Sequence, residues 1–316
     1  MSNVLILHIG AGNHSLSSNK KYAQLIKKAL KQKSILEVSD ILEKSPLTNT
    51  GYGSNLNLLG EVEIDASFMK SDGSVGSLTG LQIDCPTREM FRIFEKINEL
   101  YSKSSIGKEL LKPVTLNVSR LKKFINVNES FNVITKENQK IFDSHKTSIN
   151  EFKSFNVQDT IGIISLKENE TVITSSSGGN FFKLPGRIGC AGIIGASIGF
   201  KSLPTYELEI SCICSGNGEQ ILKYNLASQL VNSIIDMDES NYVEELRNFI
   251  FKLDPQFYCG FIIVINYSGS KIRLLYGHTT ESFHFGYKVN SKSRAILSFN
   301  ESPGKFTFGE YELRFD

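Results

Sequence analysis

Chemistry in this chain has to come from a few short stretches. His8-Ile9-Gly10-Ala11-Gly12 closes a compact apolar run that begins at Val4. Glycine backbones of this kind can cradle a phosphate, but a dinucleotide fingerprint needs a third glycine where Ser15 stands, so the stretch reads as a turn at a strand exit. Ser215-Gly216-Asn217-Gly218-Glu219 lacks the Gly-Lys-Ser/Thr ending of a P-loop, yet its adjacent N–H groups at a helix start could bind an oxyanion. His8 lies in an apolar run, and His278 and His284 form no HExxH, so packed or surface roles fit them and no metal site is expected.

The junction Asp159-Thr160-Ile161-Gly162 is of another kind. A polar segment meets a strongly apolar strand there, so Thr160 would become the first residue of a sheet if the bond before it were cut. A threonine at a new N-terminus carries its own base, because its free α-amine can take the hydroxyl proton. A threonine opening a strand is also commonplace, and local sequence alone leaves both readings open.

The elements that must position these residues follow from hydrophobic spacing. Tyr22, Leu25, Ile26 and Leu30, set among Lys20, Lys21, Lys27, Lys28 and Lys31, predict an amphipathic surface helix. Glu61 to Met69 alternates as a strand, and Arg88 to Leu100 carries Met90, Phe91, Phe94, Ile97 and Leu100 on one helical side. From about residue 102 to 159 Lys, Asn and Ser dominate, which predicts a long exposed segment, partly helical at best. Ile161 to Leu166 and Thr171 to Ser175 flank a polar turn as a hairpin, and Phe257 to Tyr267 with Lys271 to Tyr276 form another. Leu208 to Cys214 reads as a strand and Glu219 to Ile235 as helix. Strands interspersed with amphipathic helices imply layered α/β architecture.

Composition narrows the partners. The 316 residues carry 35 Lys plus Arg against 33 Asp plus Glu, a formal charge of +2, so bulk charge does not point to nucleic acid. Five cysteines without a CxxC pair argue against a disulfide framework or a zinc cluster. The start, Met1-Ser2-Asn3, has no basic residue before a short apolar run, and no stretch nears the roughly 20 apolar residues of a membrane span. The expectation is an intracellular protein, cytoplasmic and/or nuclear, with no membrane partner.

Several blocks together resemble the N-terminal nucleophile hydrolases of the isoaspartyl peptidase/asparaginase type, and among them the threonine aspartase (taspase) branch most closely. They are His8 to Ser15, Ser45 to Ser67, Asp159-Thr160-Ile161-Gly162 running to Ser177-Gly178-Gly179, Lys183 to Gly189, and Gly277-His278-Thr279-Thr280-Glu281-Ser282. The resemblance implies one domain over 1–316, a four-layer αββα sandwich that cuts itself between Asp159 and Thr160 into an α subunit (1–159) and a β subunit (160–316). Thr160 would be the nucleophile, oriented by the Ser177 hydroxyl. Asn49 would stand near the oxyanion and Ser215 with Gly216 would form the oxyanion hole. Arg187 would hold the substrate carboxylate, with Lys20 and Gly218 also on the substrate side. A planar, permanently charged bidentate donor suits that task. No cofactor is implied, and the assembly would be an αβ heterodimer or (αβ)2.

Within the family one position separates activities. Asparaginase and isoaspartyl peptidase members have an aspartate three residues after the arginine, where it binds the substrate's free α-amino group. Cys190 stands there. This favours an endopeptidase cutting protein substrates after an internal aspartate over a β-aspartyl peptidase/L-asparaginase. A non-catalytic binding module with the same fold is the third reading, against which stand Thr160, Ser177, Arg187 and the Ser215-Gly216 pair.

Overall fold

The computed structural model describes residues 3–103, 110–130, 133–148, 160–167, 170–267, 271–302 and 304–314. Asp159 lies outside them. The strands are β1 (Asn3–Gly12), β2 (Ile64–Lys70), β3 (Val75–Leu81), β4 (Thr115–Asn117), β5 (Ile161–Lys167), β6 (Glu170–Ser177), β7 (Ile198–Leu203), β8 (Leu208–Gly216), β9 (Cys259–Tyr267), β10 (Lys271–His278), β11 (Ser282–Val289), β12 (Lys292–Phe299) and β13 (Thr307–Leu313). They build an eight-stranded sheet, β12-β11-β1-β5-β6-β2-β3-β4, and a five-stranded sheet, β13-β10-β9-β8-β7. The helices are α1 (Asn19–Leu30), α2 (Ile35–Glu43), α3 (Pro86–Lys103), α4 (Val118–Leu121), α5 (Lys136–His145), α6 (Gly218–Tyr224), α7 (Leu226–Ser233) and α8 (Tyr242–Leu253).

Period-2 alternation explains why β1 is apolar on both faces. Val4 and Ile6 join Ile164, Ile213, Ile262, Leu274 and Phe285 in the core between the sheets. Leu5, Leu7 and Ile9 point the other way, onto Leu25, Ile26, Leu30, Val38 and Leu42 of α1 and α2. A strand covered on both sides needs a continuous apolar run. Further along the large sheet, Ile64, Ala66 and Leu78 pack on Met90, Ile93 and Phe94 of α3. Ile210, Cys212 and Ile263 of the small sheet pack outward on Ile221, Leu230, Leu246 and Ile250. The layers are therefore α, β, β, α. Each large side chain buried this way contributes roughly 1.5–3 kcal/mol.

Three sequence expectations are modified. Gly10 to Gly12 is no exit turn: β1 continues through it, with a register shift between His8 and Ala11 and Gly10 at φ +123. The helix expected from Glu219 to Ile235 is two, α6 and α7, separated by Asn225 in the left-handed region at φ 47. The described parts of 102–159 hold α4, α5 and a three-residue strand, β4, parallel to β3. Asn138 of α5 donates to Gly53 O and Ser54 O at 3.1 and 2.8 Å, tying this stretch to the loop before β2. α4, with four residues, and β4, with three, have no periodicity long enough to read.

Among the described residues no helix is long and apolar enough to cross a membrane.

Candidate active site

Thr160 immediately precedes β5 in the middle of the large sheet and is 4% exposed. Its N–H donates to Ser215 Oγ at 3.3 Å, and the same oxygen accepts from Ala11 N at 3.0 Å. Ser215 ends up there because β8 of the facing sheet runs its C-terminal end beneath β1 and β5. Thr160 Oγ1 lies 4.0 Å from Cys190 Sγ.

One small pocket is lined by Asn49, Thr160, Ser177, Gly179, Asn180, Arg187, Gly189, Cys190, Gly216 and Gly218. Most of the residues singled out from sequence thus converge, with Ser215 directly behind Thr160. Lys20 does not join them: it is exposed in the first turn of α1 and absent from the pocket lining. Asn49 donates through Nδ2 to Gly179 O at 2.7 Å and accepts through Oδ1 from Asn55 N at 2.8 Å. Ser177 Oγ accepts from Gly179 N at 3.1 Å, which places it on the pocket wall. Gly216 has φ +132, and a Cβ there would lie 2.3 Å from Tyr258 O, so only glycine fits. The N–H groups expected to be open beyond it are partly used, since Asn217 Oδ1 accepts from Glu219 N and Gln220 N at 3.1 and 3.3 Å.

Arg187 is held in a slot made by glycines. A Cβ on Gly179 or Gly189 would lie 2.8 or 2.6 Å from Nη1, and one on Gly218 would lie 2.7 Å from Nη2. Arg187 Nε donates to Glu219 Oε1 at 3.0 Å. Nη2 is 2.9 Å from that oxygen as an ionic contact, but it is buried with no aligned hydrogen-bond partner. A half-buried guanidinium whose Nη2 has no aligned partner, facing a pocket, suits a planar anion.

Residues behind the pocket hold its floor. Asp65 Oδ2 accepts from Gly189 N at 2.6 Å and Oδ1 from Gly80 N at 3.3 Å. Burial pushes this carboxyl up to about 6, against the pull of Lys183 and these N–H groups. Lys183, its own pKa lowered by burial, donates to Gly178 O at 2.9 Å and to Glu63 O. Burial also pushes the Cys190 thiol up to about 11, so it stays uncharged at neutral pH. His8, opposite Gly162 in the β1/β5 register, is fully buried, and desolvation drives its pKa down to about 3.

Sequence reasoning missed Asp65, Glu219 and the steric role of Gly179 and Gly189. Asp65 carried no distinct signal, because it continues the alternating acidic positions Glu61, Glu63 and Asp65 of a strand whose polar face reads as exposed. Among the described residues no group of three or more His, Cys, Asp or Glu side chains is placed to hold a metal.

Two helix-covered sheets with a threonine at the head of a central strand define the class of N-terminal nucleophile hydrolases. The chain matches the family model described as Asparaginase (Asparaginase_2) over residues 1–296 and belongs to that family. It is similar to the plant-type L-asparaginases of Thermococcus kodakarensis, 28% identical with 63% of this chain and 64% of the relative covered, and of Pyrococcus furiosus, 28% identical with 64% and 66% covered. It is also similar to the isoaspartyl peptidase/L-asparaginase of Mus musculus, 24% identical with 78% of this chain and 76% of that protein covered. The chain spans just under two thirds of the length of the archaeal relatives.

Proposed function

We propose that this protein is an N-terminal threonine hydrolase that cuts itself between Asp159 and Thr160 and then cleaves protein substrates after an internal aspartate. In this reading Thr160 Oγ1 attacks the scissile carbonyl carbon. The hydroxyl proton passes to the α-amine, and later to the leaving amine as the C–N bond breaks. Water then attacks the Thr160 ester and releases the new carboxylate. Arg187 takes the aspartate side chain. The Ser215-Gly216 end of β8 and Asn49 face the oxyanion, where each aligned donor typically contributes a few kcal/mol in the transition state.

The observation that carries this reading is the pocket's charge. Among the described residues its lining holds one cation, Arg187, and no carboxylate; Glu219 stands outside the lining, paired with Arg187 at 2.9 Å, and Cys190 is neutral. Asp65 stands behind Gly189 with both oxygens engaged. A substrate bearing a free α-ammonium finds no counter-ion in the lining, whereas one whose amine is already a peptide nitrogen needs none. Wild-type chain separating into two fragments, with Thr160→Ala staying whole and Arg187→Ala losing cleavage of aspartyl peptides, is the expected result. A wild type that stays intact on prolonged incubation overturns the reading.

The names of the similar proteins favour a second reading, β-aspartyl peptidase or L-asparaginase activity. Ammonia release from asparagine, or free aspartate from a β-aspartyl dipeptide, would decide for it. Localisation in cytoplasm and/or nucleus and assembly as αβ or (αβ)2 are part of the proposal and are read by imaging and by mass in solution.

A further inference from the structure

Behind the pocket lies a buried carboxylate that the mechanism above does not use. Glu43, the last residue of α2, is wholly inaccessible. Its Oε1 accepts from Ser176 Oγ at 2.8 Å and from the Thr87 hydroxyl, and Thr87 N, in the first turn of α3, donates to the carboxylate at 3.2 Å. Ser176 Oγ in turn accepts from Thr50 Oγ1 at 2.9 Å.

The two residues reached in this way are the immediate neighbours of Ser177 and Asn49. Because side chains alternate along a strand, Ser177 of β6 faces the pocket and Ser176 faces the helices. Thr50 follows Asn49 in the loop, and the chain then passes so close to Glu43 that a Cβ on Gly51 would lie 2.2 Å from Glu43 O. The pocket side of the same junction is completed by Gly178 N donating to Asn49 O at 2.7 Å.

We infer that Glu43 is a positioning residue for the active site, clamping the end of β6 and the Asn49 loop together through Ser176 and Thr50. The inference rests on the proposed reading of Asn49 and Ser177 as site residues. Burial pushes the Glu43 carboxyl up to about 7, opposed by the bonds from Thr87 and Ser176, so the clamp changes charge in the neutral range. The titratable groups facing it are Asp40 on its own helix and Cys85 and Arg88 at the start of α3, and Arg88 is bound to Asp40 at 2.6 Å. The loop and β6 face it with hydroxyls alone.

The test uses the full chain with Glu43→Gln and with Ser176→Ala, which cuts the clamp but leaves Glu43 bonded to Thr87. Amide hydrogen exchange is followed at Gly178 and Asn55, whose N–H groups bond Asn49, and at Ile263 in the far sheet. The expected result is exchange about tenfold faster at Gly178 and Asn55 with Ile263 unchanged. Turnover should fall more than KM rises, and the wild-type activity change near pH 7 should be lost in Glu43→Gln. Wild-type exchange at Gly178 and Asn55, or equal acceleration at all three amides, overturns the inference. If the wild type neither cuts itself nor hydrolyses a substrate, the functional reading fails, and the exchange data still decide the clamp. Should Glu43→Gln fail to fold, Ser176→Ala alone decides.

Discussion

Ser215 Oγ accepts a hydrogen bond from Thr160 N at 3.3 Å, and this bond joins the two sheets at the point where chemistry would occur. With Ala11 N as its second donor, the hydroxyl is fixed in direction. In a cut chain the same contact would orient the α-amine that serves as base. Ser215→Ala should slow both self-cleavage and turnover by about a hundredfold, the usual scale for an oriented donor or acceptor at an active centre. Fragment appearance on a gel over time measures the first, and a wild-type rate would remove Ser215 from the machinery.

Cys190 can be asked directly whether it excludes free amino acids. Cys190→Asp places a carboxylate beside the pocket, and hydrolysis of asparagine or a β-aspartyl dipeptide should rise at least about tenfold, one well-placed charge contact being worth roughly 1.5–3 kcal/mol. Ammonia release is the assay. No gain would mean that the amine sits elsewhere.

Gly218 matters for the space it leaves. Gly218→Ala would bring a methyl within 2.7 Å of Arg187 Nη2, and the guanidinium, already bound to Glu219, would have to turn. KM for an aspartyl peptide should rise about tenfold with little change in kcat or melting temperature, the pattern of lost uniform binding. A fall in kcat at constant KM would point to a role in the reaction step instead.

Acid should unfold this protein through its histidines. His8 and His284 are pushed down to about 3 and His278 to about 4, each chiefly by burial. Their folded pKa values lie below the ordinary 6.5, so the stability they contribute is present above that value and is lost as pH falls toward 3. Each step costs on the order of 3–5 kcal/mol when complete. Melting temperature should drop steeply between pH 6 and 4, and His284→Phe should flatten the drop.

The opposite sign holds for Glu43. Its folded pKa, about 7, lies above the ordinary 4.5, so its contribution is full below 4.5 and is lost as pH rises through 7. Glu43→Gln should therefore gain stability relative to wild type from pH 5 to pH 8, by up to about 3 kcal/mol. Denaturant titrations at the two pH values measure it.

The parts of the architecture that sequence made legible are those where one period dominates. β1 and β5 are apolar on both faces because helices cover one side and a second sheet the other, and α1 and α3 announce themselves by spacing. The pocket residues were legible only as motifs, since Asn49, Thr160, Ser177, Arg187 and Gly216 come from separate stretches that nothing local connects. Glu219 and Glu43 were not readable because their effect depends on which side chain they meet across the fold. Lys20, drawn toward the site by motif, turns outward on α1, whose buried stripe is Tyr22, Leu25, Ile26 and Leu30.

The strand order has a consequence for assembly. Reading β12-β11-β1-β5-β6-β2-β3-β4 across the large sheet, a cut before Thr160 would assign β1 to one piece, with neighbours β11 and β5 from the other, and would leave β6 of the second piece against β2 of the first. Three ladders would then join the pieces, and pulling them apart would bare long apolar edges of the kind that aggregate. Such a nick could only follow folding. Two halves made from separate genes would be expected to clump rather than find each other, so a chain that is cut would have to serve, while continuous, as its own assembly template.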